Sequence, residues 1–297
     1  MAQRQLLFVF GMSRSGTSAL TRVLSLCGAA LPGIQLRANP HNPKGHFEPV
    51  DALVLNDEFL FHHGTSLFDP TLRLQGETKF EVSERDSFVG KIRQFLREKG
   101  NSPLTVVKDP RIVGISDFWF EAARQEGFSV KLVIPLRHCS EVAASLAARD
   151  QASPELSTLL WLKNNLLAER CSRPFPRVFV EYRNLLADWR AEIRRISEAL
   201  TIELQASDEA AIDGFLDPAL YRQKSPDAIA NVLDPSWTER VYAAFASAAR
   251  GGPIDTAEMD MILLAYRRFE RTFRVAAEEF HARFGPRPWA LPPIAPS

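Results

Sequence analysis

The chain opens with a compact apolar block, Leu6-Leu7-Phe8-Val9-Phe10, closed by Gly11, after which the apolar positions fall at helical spacing on Leu20, Val23 and Leu24. This predicts a strand, a glycine-bounded loop and a helix over 17–26. Three later blocks, 104–107, 130–136 and 178–181 with Tyr182, share the character of fully buried strands. None of them alternates polar with apolar residues, and each runs into a helical stretch, as expected of a parallel sheet covered on both faces. The predicted fold class is α/β, a parallel sheet flanked by helices.

Between the first two strands, 30–49 is rich in Pro, Gly and Asn and reads as an ordered loop, followed by helical patterns over 51–61 and 81–99. After the fourth strand the chain turns helical over 183–200, 208–215, 235–250 and 255–284, with Gly251-Gly252-Pro253 as a breaker. Five prolines in the last thirteen residues predict an extended strap or tail. One domain over 1–297 is expected, with a core at about 5–200, a helical C-terminal cap at 201–284 and a Pro-rich tail at 285–297.

Lys plus Arg number 36 and Asp plus Glu 36, so no global field recruits nucleic acid or an anionic membrane, and any anion site is built locally. Cys27, Cys139 and Cys171 are odd in number, far apart and without C-x-x-C spacing, which gives neither a disulfide framework nor a zinc site. The apolar run 6–10 is too short for a signal-peptide core or a membrane span, and a cytoplasmic protein is expected.

The chemistry concentrates at Gly11-Met12-Ser13-Arg14-Ser15-Gly16-Thr17-Ser18, between the first strand and the first helix. Backbone N–H groups and a helix N-terminus favour a phosphate there. Against the nucleotide-triphosphate pattern G-x-x-x-x-G-K-[ST], the glycines and the last hydroxyl are in register, but Thr17 stands at the lysine. A threonine supplies no charge to β- and γ-phosphates, and the one cation within the loop is Arg14. The plain alternative is a Gly-Ser turn carrying a surface arginine.

Arg14-Ser15-Gly16-Thr17-Ser18 resembles the [KR]-S-G-[TS]-[ST] loop with which the P-loop sulfotransferase superfamily cradles the 5′-phosphosulfate of PAPS (3′-phosphoadenosine 5′-phosphosulfate). Three further matches follow in chain order. Lys108-Asp109-Pro110-Arg111 is similar to the K-D-P segment of tyrosylprotein and many bacterial members, whose lysine approaches the transferring group; read as a Walker B, the same stretch makes Asp109 a magnesium ligand. Arg137, after the third strand, with Ser145 eight residues on, matches the pair that clamps the 3′-phosphate, and a guanidinium suits such a dianion. Tyr182-Arg183-Asn184-Leu185-Leu186 resembles the family's Y-E-D-L segment, with its tyrosine near the nucleotide, although Arg183 and Asn184 replace the acids.

The resemblance implies a P-loop-type fold and a PAPS-dependent sulfotransferase that acts on a small-molecule or glycan hydroxyl and releases adenosine 3′,5′-bisphosphate, with no metal. It makes Arg14 and Lys108 stabilisers of the leaving oxygen and Glu48, in Lys44-Gly45-His46-Phe47-Glu48, the general base, with His46, His62 and His63 as alternatives. It makes Arg14, Ser15, Gly16, Thr17, Ser18, Arg137, Ser145 and Tyr182 the cofactor-binding residues. Phe47, Phe59, Phe61 and Phe68 are open to two readings, an acceptor platform or core. The late R-K-G-x-x-G-x-W segment of cytosolic members is missing, and Arg222 and Lys224, or Arg250, are the candidates to replace it. A P-loop kinase or a nucleotide-binding protein with a degenerate loop is the competing function.

Overall fold

The computed structural model describes residues 3–40, 42–216, 234 and 236–284. Its four described strands, β1 Gln5–Val9, β2 Leu104–Val107, β3 Ser129–Leu136 and β4 Arg177–Glu181, form one all-parallel sheet in the order β2-β1-β3-β4. Leu7 pairs with Val106 on one side and with Lys131 on the other, and Leu132 pairs with Arg177. The expected α/β class is the observed one.

The unbroken apolar runs have a direct cause. Leu6, Phe8 and Phe10 project to one face with Leu132, Ile134, Leu136 and Phe179, while Leu7 and Val9 project to the other with Val106, Val133 and Val180. Both faces are sealed, so neither parity of position meets water. One face is covered by α4 Val82–Lys99, α5 Ser116–Gln125 and a long α7 Pro154–Ser172; the other is covered by α1 Thr17–Leu26 and α9 Trp189–Leu200. The remaining described helices are α2 Val50–His62, α3 Arg73–Gly76, α6 Cys139–Asp150, α8 Tyr182–Ala187, α10 Glu209–Phe215, α11 Ser236–Ala248 and α12 Thr256–Phe284.

Two elements depart from the sequence pattern. The helix expected over 183–200 is two, because Asp188 adopts φ −152° and caps α9 by accepting from Ala191 N at 3.0 Å. The second is α7, which the pattern does not single out. It is buried almost all round, including Lys163, Asn164, Asn165 and Glu169, and so carries no polar face to betray it. Its polar groups are met inside the protein: Asn164 and Asn165 donate to the carbonyls four residues back, Lys163 donates to Asp69 O at 2.6 Å, and Glu169 accepts from Arg173 and Arg177. Among the described residues, no helix is long and apolar enough to cross a membrane.

What the fold contributes to function is convergence. Arg14 follows β1, Lys108 follows β2, Arg137 follows β3 and Tyr182 follows β4, all at the carboxyl edge of the sheet. The chain passes from β1 to one neighbour and later returns to the other, so a topological switch point lies between β1 and β3, where open α/β sheets place their ligands.

Candidate active site

The loop after β1 bends through two left-handed residues, Arg14 at φ 72° and Gly16 at φ 86°. The conformation is costly for an arginine, roughly 1–3 kcal/mol, and persists where neighbours over-determine it. Here Arg137 Nη1 donates to Arg14 O at 3.2 Å, and Arg14 Nε donates to Ser145 Oγ at 2.9 Å. Gly16 is required for a second reason: a β-carbon there would lie 2.3 Å from Tyr182 Cδ2, so the phenol ring rests directly on the loop. Burial raises the Tyr182 hydroxyl pKa against the opposing pull of Arg137 and Arg14.

Gly16 is also the N-cap of α1, with no side-chain cap and no acid in the first turn. The helix therefore presents its N-terminal N–H groups and the positive end of its dipole to the loop. Ser15 is 1% exposed and its Oγ has no hydrogen-bond partner among the described residues. An orphaned buried hydroxyl beside an uncapped helix start suits an oxyanion. Above it lies a cleft of about 240 Å³, whose charged lining residues are Arg14, Lys44 and Arg137, with Leu186, Phe215 and Leu216 as an apolar wall. Burial foremost, then Arg149 and Arg137, holds the Arg14 guanidinium below its ordinary pKa.

A second cluster lies under the loop. Lys108 is 3% exposed, and its ammonium donates to Ser18 Oγ at 3.2 Å, His46 O at 3.1 Å and Glu48 Oε1 at 2.5 Å. Glu48 is itself buried, with Arg111 Nη1 at 3.9 Å from its second oxygen. Arg111 also donates to Asp109 and Asp57, and Asp109 accepts from Asn56, which in turn accepts from Trp119. Burial raises the Asp109 pKa, with Arg111 acting in the opposite direction. Its carboxylate serves Arg111 and Asn56, an arrangement that orients side chains.

Glu48 reaches this place because Leu36 N bonds Glu48 O and Val50 N bonds Ile34 O, a short antiparallel pairing that folds 30–49 back on itself. Phe47 takes φ 54° at the bend, packs edge-on against Phe215 at 6.0 Å and lies under Arg22. His46 is half-buried with an unpartnered Nε2 among the described residues; burial lowers its pKa, Glu48 opposes that, and Lys108, Arg149 and Arg14 reinforce it. His62 and His63 turn instead to Glu84, at 3.4 and 3.0 Å, and away from this cluster.

The structure thus brings Arg14, Ser15, Gly16, Thr17, Ser18, Arg137, Ser145 and Tyr182 around one loop, and joins Lys108 and Glu48 to it through Ser18. Ser145 accepts from Arg14, a contact that the sequence did not suggest. Of the aromatic residues, Phe59 is core, stacked on Phe88 at 3.9 Å, whereas Phe68 is partly exposed and lies 5.9 Å from Arg149. Arg222 and Lys224 lie outside the described residues. Phe215 and Leu216 were not legible as site residues, because nothing local marks a wall supplied from 200 residues downstream; Lys44 was visible as a Pro-Gly-flanked cation but carried no assignment.

No family model matches the chain, and no curated protein does. Among solved structures, the sulfotransferase domain of the olefin synthase of Synechococcus PCC 7002 is 18% identical, with 92% of this chain and 96% of that one covered, at a TM-score of 0.43. Sulfotransferase STF1 of Mycobacterium tuberculosis is 16% identical, with 82% and 77% covered, at 0.43. The sulfotransferase domain of the curacin biosynthetic pathway is 12% identical, with 86% and 100% covered, at 0.46. At this level the likeness is one of chain trace.

Proposed function

We propose that the chain is a PAPS-dependent sulfotransferase that moves the sulfuryl group to an acceptor hydroxyl of a carbohydrate or other small molecule and releases adenosine 3′,5′-bisphosphate. The observation that carries this reading is Lys108, whose one ammonium bridges Ser18 of the phosphate loop and the buried carboxylate of Glu48. A cradle for an anion and a group able to take a proton therefore share a cation.

PAPS, when bound, supplies an activated sulfuryl group on a good leaving group. Arg14, the Ser15 to Ser18 segment and the first turn of α1 hold the 5′ end, and Arg137 with Ser145 holds the 3′-phosphate. Arg14 and Lys108 neutralise the charge that develops on the leaving oxygen, work that positioned cations do well in a site shielded from water. As Lys108 turns toward that charge it releases Glu48, which accepts the proton of the acceptor hydroxyl. Arg111 stays behind Glu48 and keeps its carboxylate in place.

His46 is the second candidate base, since burial lowers its pKa and its Nε2 is without a partner among the described residues. A magnesium-dependent kinase fits less well, because Thr17 replaces the phosphate-binding lysine and Asp109 is engaged with Asn56 and Arg111. Two measurements test the reading together. Adenosine 3′,5′-bisphosphate at ~100 times its Kd should stabilise the fold by ~2.7 kcal/mol, whereas ATP with magnesium should not. Transfer of labelled sulfate from PAPS to a panel of sugars and phenols should fall ~10²- to 10⁴-fold in Glu48→Gln. Stabilisation by ATP with magnesium alone would overturn the reading.

A further inference from the structure

Lys44 lies in the loop folded over the start of α1, two residues before His46, whose carbonyl accepts from Ser18 Oγ at 3.1 Å. Its side chain reaches across the cleft to α10, where the ammonium donates to Phe215 O and stands 5.3 Å from the Phe215 ring. An ammonium has three N–H donors, and this is the one bond that Lys44 makes among the described residues. The other two donors belong to a residue that lines the cleft beside Thr17, Ser18 and Ala19.

A nucleoside 3′,5′-bisphosphate carries roughly three to four negative charges at neutral pH. The cations lining the cleft among the described residues are Arg14, Arg137 and Lys44, and Arg137 already faces Glu141 at 3.0 Å, while Lys108 faces Glu48. The cleft is therefore short of positive charge without Lys44. Its loop is bonded to Ser18 in the first turn of α1 through His46 O, and this contact assigns Lys44 to the 5′ end of the bound nucleotide.

Resting on the donor reading above, we propose that Lys44 is a donor-binding residue that places its ammonium on the 5′-phosphate and, through Phe215 O, ties the end of α10 down over the bound nucleotide. The Asn42-Pro43-Lys44-Gly45 turn thereby supplies a cation from the front of the chain.

Calorimetric titration of the full chain with adenosine 3′,5′-bisphosphate, adenosine 5′-phosphate and adenosine 3′-phosphate tests this. Lys44→Gln should weaken both 5′-phosphate ligands roughly 10- to 100-fold, leave adenosine 3′-phosphate nearly unchanged and flatten the salt dependence of the first two. Lys44→Arg should retain most of the affinity. Should Lys44→Gln fold poorly in a ligand-free melt, Lys44→Met serves as the second uncharged variant. Unchanged 5′-ligand affinity overturns the proposal, and so does an equal loss for all three ligands, which would make Lys44 a loop tether only. Wild-type protein that binds none of the three refutes the donor reading itself.

Discussion

Lys108 Nζ stands 2.5 Å from Glu48 Oε1, both side chains are buried, and the same ammonium reaches Ser18 in the first turn of α1. Taking one charge from such a pair leaves the other uncompensated in a poor solvent for ions. Lys108→Met should therefore cost about 3–5 kcal/mol, moderated by Arg111 near the second oxygen of Glu48. The double variant Lys108→Met with Glu48→Gln should cost clearly less. Urea denaturation of both single variants and of the double measures the coupling; single losses that simply add would mean that the pair is not coupled.

Gly16 and Tyr182 form a steric lock beside the cleft that Arg14, Lys44 and Arg137 line. Gly16→Ala meets two penalties, the left-handed φ of 86° and a β-carbon 2.3 Å from the ring, and a stability loss of at least ~1–3 kcal/mol is expected for the backbone part alone. Adding Tyr182→Ala removes the clash and leaves the backbone cost. The cycle should therefore be non-additive in the favourable sense. Strict additivity in chemical denaturation would mean that the ring moves aside freely.

Arg137 supports Arg14 O and is the proposed 3′-phosphate ligand, two roles that a ligand series separates. If it binds the 3′-phosphate, Arg137→Gln should weaken adenosine 3′,5′-bisphosphate by roughly 10- to 100-fold and adenosine 5′-phosphosulfate much less. Because Arg137 Nη1 also supports Arg14 O, some loss is expected for both ligands. Equal losses in calorimetry would assign Arg137 to loop support alone.

His46 gives a stability prediction with a definite sign. Burial depresses the His46 pKa below its usual value of about 6.5, so the unfolded chain binds the proton more readily than the native one. Stability is then full above about pH 6.5 and falls as pH drops through the lower folded value. Replacing His46 with Gln should flatten that part of the curve, read from melts between about pH 7 and pH 5. If His46 and not Glu48 is the base, the same variant also abolishes transfer, while Glu48→Gln keeps it.

The α/β class and the strand-loop-helix over 5–26 were legible in the sequence because both are written in neighbours. An apolar run of five residues, a glycine and a helical repeat need no distant partner to be read. The segment after each strand could be named for the same reason, and Arg14, Lys108, Arg137 and Tyr182 stand at four strand ends. The break at Asp188 departs from the single helix expected over 183–200, although its cause, an acid at an N-cap, is local.

What the tertiary structure alone decided are the encounters between distant residues. Glu48 and Lys108 are 60 residues apart, Lys44 and Phe215 are 171 apart, and Arg14 and Ser145 are 131 apart. No spacing rule predicts which acid faces which base when the partners arrive on separate strands and loops. The burial of α7 was hidden for a related reason, since a helix surrounded on every side loses the periodic contrast that announces it. The local chain could specify a cradle; only the packing of the sheet and its loops could put a carboxylate and a lysine beneath it.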